Sequence, residues 1–102
     1  MKSVKLSFDN SLSSLCGYPF GQKTYKDQVA SFFDESDVLE IVIPSTIDSV
    51  SMSFAQGFIS DIAEKYGISN VEKYIVIKSS YNRVVNKFKE AIIIRSKMPN
   101  VY

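Results

Sequence analysis

Val4, Leu6 and Phe8 alternate with Lys5 and Ser7. That is the period of a strand with one buried side, so the pattern predicts a first strand here, its direction in the sheet left open. The next stretch, DNSLSSLCGYPFG, is rich in turn formers and reads as a loop broken by Gly17, Pro19 and Gly21. Thr24 can cap a following helix, with Asp27 as a weak partner and Tyr25, Val29, Phe32 and Phe33 on its inner face. VLEIVIP is apolar on nearly both faces, the pattern of a central strand covered on two sides and ended by Pro44.

A second helix is expected from Ser53. Its inner stripe is Phe54, Ala55, Phe58, Ile59, Ile62 and Tyr66, and Gly67 is its stop. KYIVIK reads as a further buried strand. SSYNRVVNKFKEAIIIRSK reads as a third helix with Val84, Val85, Phe88, Ala91, Ile92 and the stem of Arg95 inward. Strands alternating with helices predict an α/β domain built with right-handed parallel crossovers. The expected architecture over residues 1–102 is one domain with about four mostly parallel strands and three helices.

Composition narrows the chemistry. The chain has 102 residues, no histidine and one cysteine, Cys16. Without histidine there is no Ser-His or Cys-His dyad and no imidazole metal ligand. No catalytic residue, metal site or cofactor is therefore expected. GYPFGQKT fails the P-loop spacing, with three residues between its glycines and Gln22 before Lys23. Cys16 reads as a small, partly buried residue. A lone thiol, no signal peptide and no apolar run of ~20 residues predict a cytoplasmic protein away from membranes. The net charge of +1 makes nucleic acid an improbable partner.

The remaining candidate is SVSMSFAQGF, residues 49–58. Ser53 and Gln56 have capping-box spacing, and such a cap contributes ~1 kcal/mol. Alternatively, Ser51 or Ser53 accepts a phosphate, which the free N–H groups of a helix start would favour. On the third helix Ile93 falls opposite Val84 and Phe88, with Ile94 on its flank. Both are either ordinary exposed apolar residues or an oligomer contact, such as a weak homodimer.

The glycine-flanked turn at 17–21, EIVIP, SVSMSFAQGF and the closing KEAIIIRSK together resemble the bacterial STAS-like domain family. That family has no assigned function and is similar in outline to sulphate-transporter and anti-sigma-factor-antagonist domains. The resemblance spans roughly residues 12 to 97, and its most specific piece is the Ser-x-Ser-Phe step into a helix. It implies a regulatory module acting by protein–protein interaction, with a histidine-kinase-like ATPase as a candidate partner. The antagonists carry an Asp-Ser-Ser-Gly-like segment with a phosphorylated serine. Here Ser51 takes the aspartate position, Met52 the phosphoserine, Ser53 the next serine and Phe54 the glycine. Pro44 stands where the family pattern has an aspartate. A methionine takes no phosphate, so the resemblance implies partner binding without the inherited switch. The expected regulatory surface is Asp48, Ser49, Ser51, Met52, Ser53, Phe54 and Gln56. The alternative is a small-ligand or nucleotide module using the helix start at Ser51 to Phe54 for an anion.

Overall fold

The computed structural model describes residues 1–98. Three strands, β1 (Lys2–Lys5), β3 (Leu39–Val42) and β5 (Ile75–Lys78), form one parallel sheet in the order β1-β3-β5. A separate parallel pair joins β2 (Ser14–Leu15) to β4 (Ser49–Val50). The helices are α1 (Tyr18–Gln28), α2 (Met52–Tyr66), a single turn α3 (Val71–Tyr74) and α4 (Asn82–Lys97). The fold is thus α/β, and among the described residues every strand pair is parallel, including that of the first strand. The paired segments at 14–15 and 49–50 are too short to leave a periodic trace in the sequence.

Among the described residues the sheet is covered on one side only. Val4, Ile41 and Ile77 share a register position, with Leu39, Ile75, Leu6 and Ile43 on the same side, and most of these are buried. The other side carries Ser3, Glu40 and Val76, then Lys5, Val42 and Lys78. There the Ser3 hydroxyl donates to Glu40 at 3.1 Å and the Lys78 ammonium lies 3.5 Å from the same carboxylate. The two-sided covering expected from VLEIVIP is therefore corrected. Its buried residues are the alternate ones, Leu39, Ile41 and Ile43, while Glu40 and Val42 are half-buried. Two successive right-handed crossovers in one direction put α1 and α2 on the same face, which leaves the opposite face bare.

The first helix begins earlier than Thr24. Gly17 precedes it at φ 101° and Pro19 sits in its first turn, where a missing N–H forfeits no hydrogen bond. Pro19 and Gly21 are thus helical residues rather than breakers. Thr24 is buried in mid-helix, and its hydroxyl donates to the Phe20 carbonyl at 2.8 Å. The helix stops before Phe32, which is 51% exposed and so leaves the expected inner face, while Phe33 turns onto Tyr66 and Tyr74. Asp9 and Asp34 each close a turn by accepting from both the N–H and the hydroxyl of the serine two residues on. Those bonds hold both carboxyls below the usual carboxylate range.

The core centres on Phe54, Phe58 and Phe88, all buried and stacked edge or face to one another at 5.5–6.5 Å. Against it α1 and α2 make the most extensive contact between helices. They meet through glycines. A Cβ on Gly21 would overlap the Phe54 carbonyl oxygen and lie 2.8 Å from the Phe58 nitrogen. A Cβ on Gly57 would overlap the Tyr18 carbonyl oxygen and lie 3.1 Å from the Gln22 nitrogen. Two backbones touch here with no side chain between them.

In an unencumbered helix Gly→Ala stabilises by up to ~1 kcal/mol. At this crossing the sign reverses, because a methyl group would meet backbone that cannot move aside. Gly21→Ala and Gly57→Ala should each lower stability by about 2 kcal/mol or more. Urea denaturation measures this, and a midpoint equal to or above wild type in either variant refutes the close crossing.

A second prediction concerns Tyr25, buried edge-on against Phe58 at 5.8 Å. Burial pushes its phenol up to about 12, with Asp61 and Tyr66 adding to the shift. The unfolded phenol titrates near ~10. Above that pH the unfolded chain has released a proton that the folded chain retains, so stability falls as pH rises from about 10 to about 12. Tyr25→Phe should show a shallower loss over that window in denaturation midpoints, and identical slopes for the two proteins count against the shift.

Candidate functional site

β2 and β4 run side by side, and each leads straight into a helix. β2 passes through Cys16 and Gly17 into α1, and β4 passes through Ser51 into α2. The Ser51 N–H continues the strand pairing by donating to the Leu15 carbonyl at 2.8 Å. Both helices therefore begin at the same level, with their positive ends together.

One hydroxyl ties the two starts. Ser51 is the N-cap of α2, with extended backbone at φ −77° and ψ 158°. Its Oγ accepts from the Phe54 N–H at 3.1 Å and from the Gly17 N–H at 3.3 Å. Gly17 is itself the residue that precedes α1. Ser53 Oγ lies 3.1 Å from Ser51 Oγ and completes a small hydrogen-bonded cluster.

The expected capping box at Ser53 is thereby corrected. The helix starts at Met52, so Ser53 is already inside its first turn and Ser51 does the capping. Gln56 does not reach back to the helix start. Its amide donates to the Ala91 carbonyl of α4 at 3.0 Å and contacts the Met52 sulfur at 3.9 Å. Gln56 thus fastens α2 to α4, and Met52 lies half-buried beside it.

The expected surface divides into two parts. Phe54 is fully buried in the core and is removed from the exposed set. Its partner in the pattern, Ser53, is exposed, while Asp48, Ser49 and Ser51 are half-buried. The same surface contains residues that the loop reading of 9–21 concealed. Cys16 is exposed rather than partly buried, with its thiol 3.8 Å from the Ser14 hydroxyl. Tyr18 is 37% exposed at the start of α1. A glycine followed by proline two residues later is a helix-start signal that places both.

Beside this surface, β4 and α4 enclose an open groove of about 350 Å³ lined by Ser49, Val50, Arg83, Asn86, Lys87 and Glu90. Arg83 Nε donates to the Asp48 carbonyl at 2.6 Å, and its guanidinium lies over the Tyr81 ring at 5.1 Å. Lys87 pairs with Glu90 at 3.6 Å. The groove carries two cations, Arg83 and Lys87, against one acid, Glu90. No group of three or more metal-ligating side chains occurs among the described residues. Ile93 and Ile94 lie elsewhere on α4, 52% and 42% exposed. No helix among the described residues is long and apolar enough to cross a membrane. No family model, curated protein or solved structure matches the chain.

The geometry assigns different weights to the two serines. Ser51→Ala removes the acceptor of two backbone N–H groups and should cost about 1–2 kcal/mol. Ser53→Ala removes only a partner of Ser51 at an exposed position and should stay within about 0.5 kcal/mol of wild type. Chemical denaturation of both variants decides it, and the reverse order would return the cap to Ser53.

Proposed function

We propose that the chain is a non-catalytic regulatory module that binds another protein through the surface around its paired helix starts. The contact surface comprises Ser53, Ser49, Cys16 and Tyr18, with Arg83 and Lys87 along the adjoining groove. The observation that supports this reading is the Ser51 hydroxyl, which holds two helix starts and two strands in one arrangement. A surface fixed before binding loses little conformational entropy when a partner docks. The STAS-like resemblance points to the same segment, to a cytoplasmic role and to a histidine-kinase-like ATPase as the partner class.

The switch of the anti-sigma antagonists is not carried over in this reading. Met52 occupies the modified position and its side chain is half-buried against Gln56. Ser51 is engaged by two N–H groups. Partner binding here is constitutive, set by the surface rather than by a phosphate.

A photo-cross-linking amino acid at position 53, expressed in the native host, should capture one predominant protein. The same group at Lys26, on the exposed far part of α1, should not. Peptide mapping of the purified protein should find residues 49–53 without phosphate. Equal capture from both positions refutes the surface, and a stoichiometric phosphate on Ser51 or Ser53 refutes constitutive binding. A nucleotide that raises the melting temperature without any cross-linked protein would favour the small-ligand reading instead.

A further inference from the structure

The second surface of interest lies across α4 from the first. At ~100° per residue, Arg83, Lys87 and Glu90 fall on one flank of that helix, and Val85, Lys89 and Ile92 on the other. The latter flank faces β5, which is an edge strand of the sheet.

β5 is open along its outer side. The Ile43 N–H donates to the Lys78 carbonyl at 2.8 Å, so Lys78 directs its backbone groups toward β3. Backbone direction alternates along a strand, so Ile77 directs its N–H and carbonyl away from the sheet, as does the Ile75 carbonyl. The Ile75 N–H is taken by the Val71 carbonyl of α3. No strand among the described residues pairs with that side. The opposite edge differs. β1 reads Lys-Ser-Val-Lys, with a charge at each end, the usual protection against unwanted pairing. β5 reads Ile-Val-Ile-Lys, and its one lysine is drawn over the sheet face to Glu40.

Next to this edge is a cavity of about 230 Å³ between β5 and α4. Ile59, Ile75, Ile77, Val85, Phe88 and Ile92 make its apolar wall. An apolar cavity of ~150 Å³ accommodates benzene, so this one has room for a large side chain. At its mouth Lys89 is exposed and has no carboxylate within ion-pair distance among the described residues. Lys73 is exposed on α3 nearby in the chain, and Glu72 is the one acid at the mouth.

We infer that β5 accepts an extended segment of another protein as a fourth strand, with an apolar side chain of that segment in the cavity and an acidic residue beside Lys89. The unpaired Ile77 amide and carbonyl call for backbone partners, which only an extended chain supplies in register. The cavity selects an apolar residue at alternate positions, because side chains on one face of a strand recur every second residue. Lys89 selects the acidic flank. A second copy of this chain is disfavoured as the occupant, since a two-fold pairing of β5 brings two Lys89 side chains to the same seam. The inference is independent of the surface at Ser51, because α4 separates the two.

The test is selection of a random twelve-residue peptide display library against the full chain. Enriched peptides should share an apolar-x-apolar core with a neighbouring Asp or Glu. Synthesised and added to the ¹⁵N-labelled chain, they should slow hydrogen exchange of the Ile77 amide, which a side-chain-only contact would leave unchanged. Lys89→Glu, an exposed substitution, should weaken acidic peptides by roughly fivefold and leave the free protein's spectrum native. Ile92→Trp, which fills the cavity, should abolish binding, with the free protein's spectrum again checking the fold. Failure to enrich any peptide overturns the proposal, as does enrichment of peptides that leave Ile77 exchange unaltered. Concentration-dependent dimerisation that protects Ile77 in the absence of peptide also overturns it and gives the edge to a second copy.

Discussion

The contact on which the structure depends is the crossing of α1 and α2 at Gly21 and Gly57. Dispersion attraction falls steeply with separation, so a glycine crossing gains contact over a whole patch of backbone that any side chain would prop apart. The Phe54 carbonyl lies where a Gly21 side chain would be, and the Tyr18 carbonyl lies where a Gly57 side chain would be. Once the backbones are this close, the axial offset of the helices is fixed. Their starts then come level, and the Ser51 hydroxyl reaches the Gly17 N–H. The short β2–β4 pair is held by the same alignment, since two residues of ladder on each side are too little to pair unaided.

The one-sided sheet follows from the same economy. Parallel sheets ordinarily have helices on both faces, because each crossover covers part of a face. Here both crossovers run in one direction, and among the described residues no helix covers the second face. The bare face is polar to match, with Ser3, Glu40 and Lys78 linked across all three strands. With only three strands, two of the three are edge strands, and the protection of edges becomes a design question. β1 meets it with lysines and β5 does not, so the asymmetry of the two edges is a property of the sequence rather than of the topology.

The long periodic elements were legible in the chain. The stripe Phe54, Ala55, Phe58, Ile59 and Ile62 is the buried face of α2, Gly67 ends it at φ 92°, and Val84, Phe88 and Ala91 bury on α4. Each of these elements shows several residues at one period, so its identity does not hang on any single residue. The start of α1 was not legible by the same route, because Gly17, Pro19 and Gly21 carry breaker propensities that position in the helix overrides. Pro19 is harmless in a first turn, and Gly21 is required by Phe54 and Phe58, which are distant in the sequence and so invisible locally. The two-stranded pair was lost for a different reason: its stability lies in tertiary alignment, with nothing local to detect. At the candidate site the helix start does fall within 49–58, and the capping roles within it are shifted. Which serine caps depends on where the first helical residue falls, and a two-residue displacement of that boundary exchanges Ser53 for Ser51.

That displacement also changes what the serine cluster can do chemically. Ser53, inside the first turn, is exposed and its hydroxyl caps no backbone N–H, so altering it leaves the helix intact. A capping serine is different, because its oxygen is an acceptor that the helix already uses. Esterifying Ser51 with phosphate would keep an oxygen acceptor near the helix start and add charge that the two aligned positive ends favour. It would also need room between α1 and α2, where the Gly17 N–H stands only 3.3 Å away. The glycine crossing holds that gap closed. The same contact that brings the two helix starts together thus holds Ser51 in its capping place, and it leaves Ser53 as the exposed hydroxyl of this cluster.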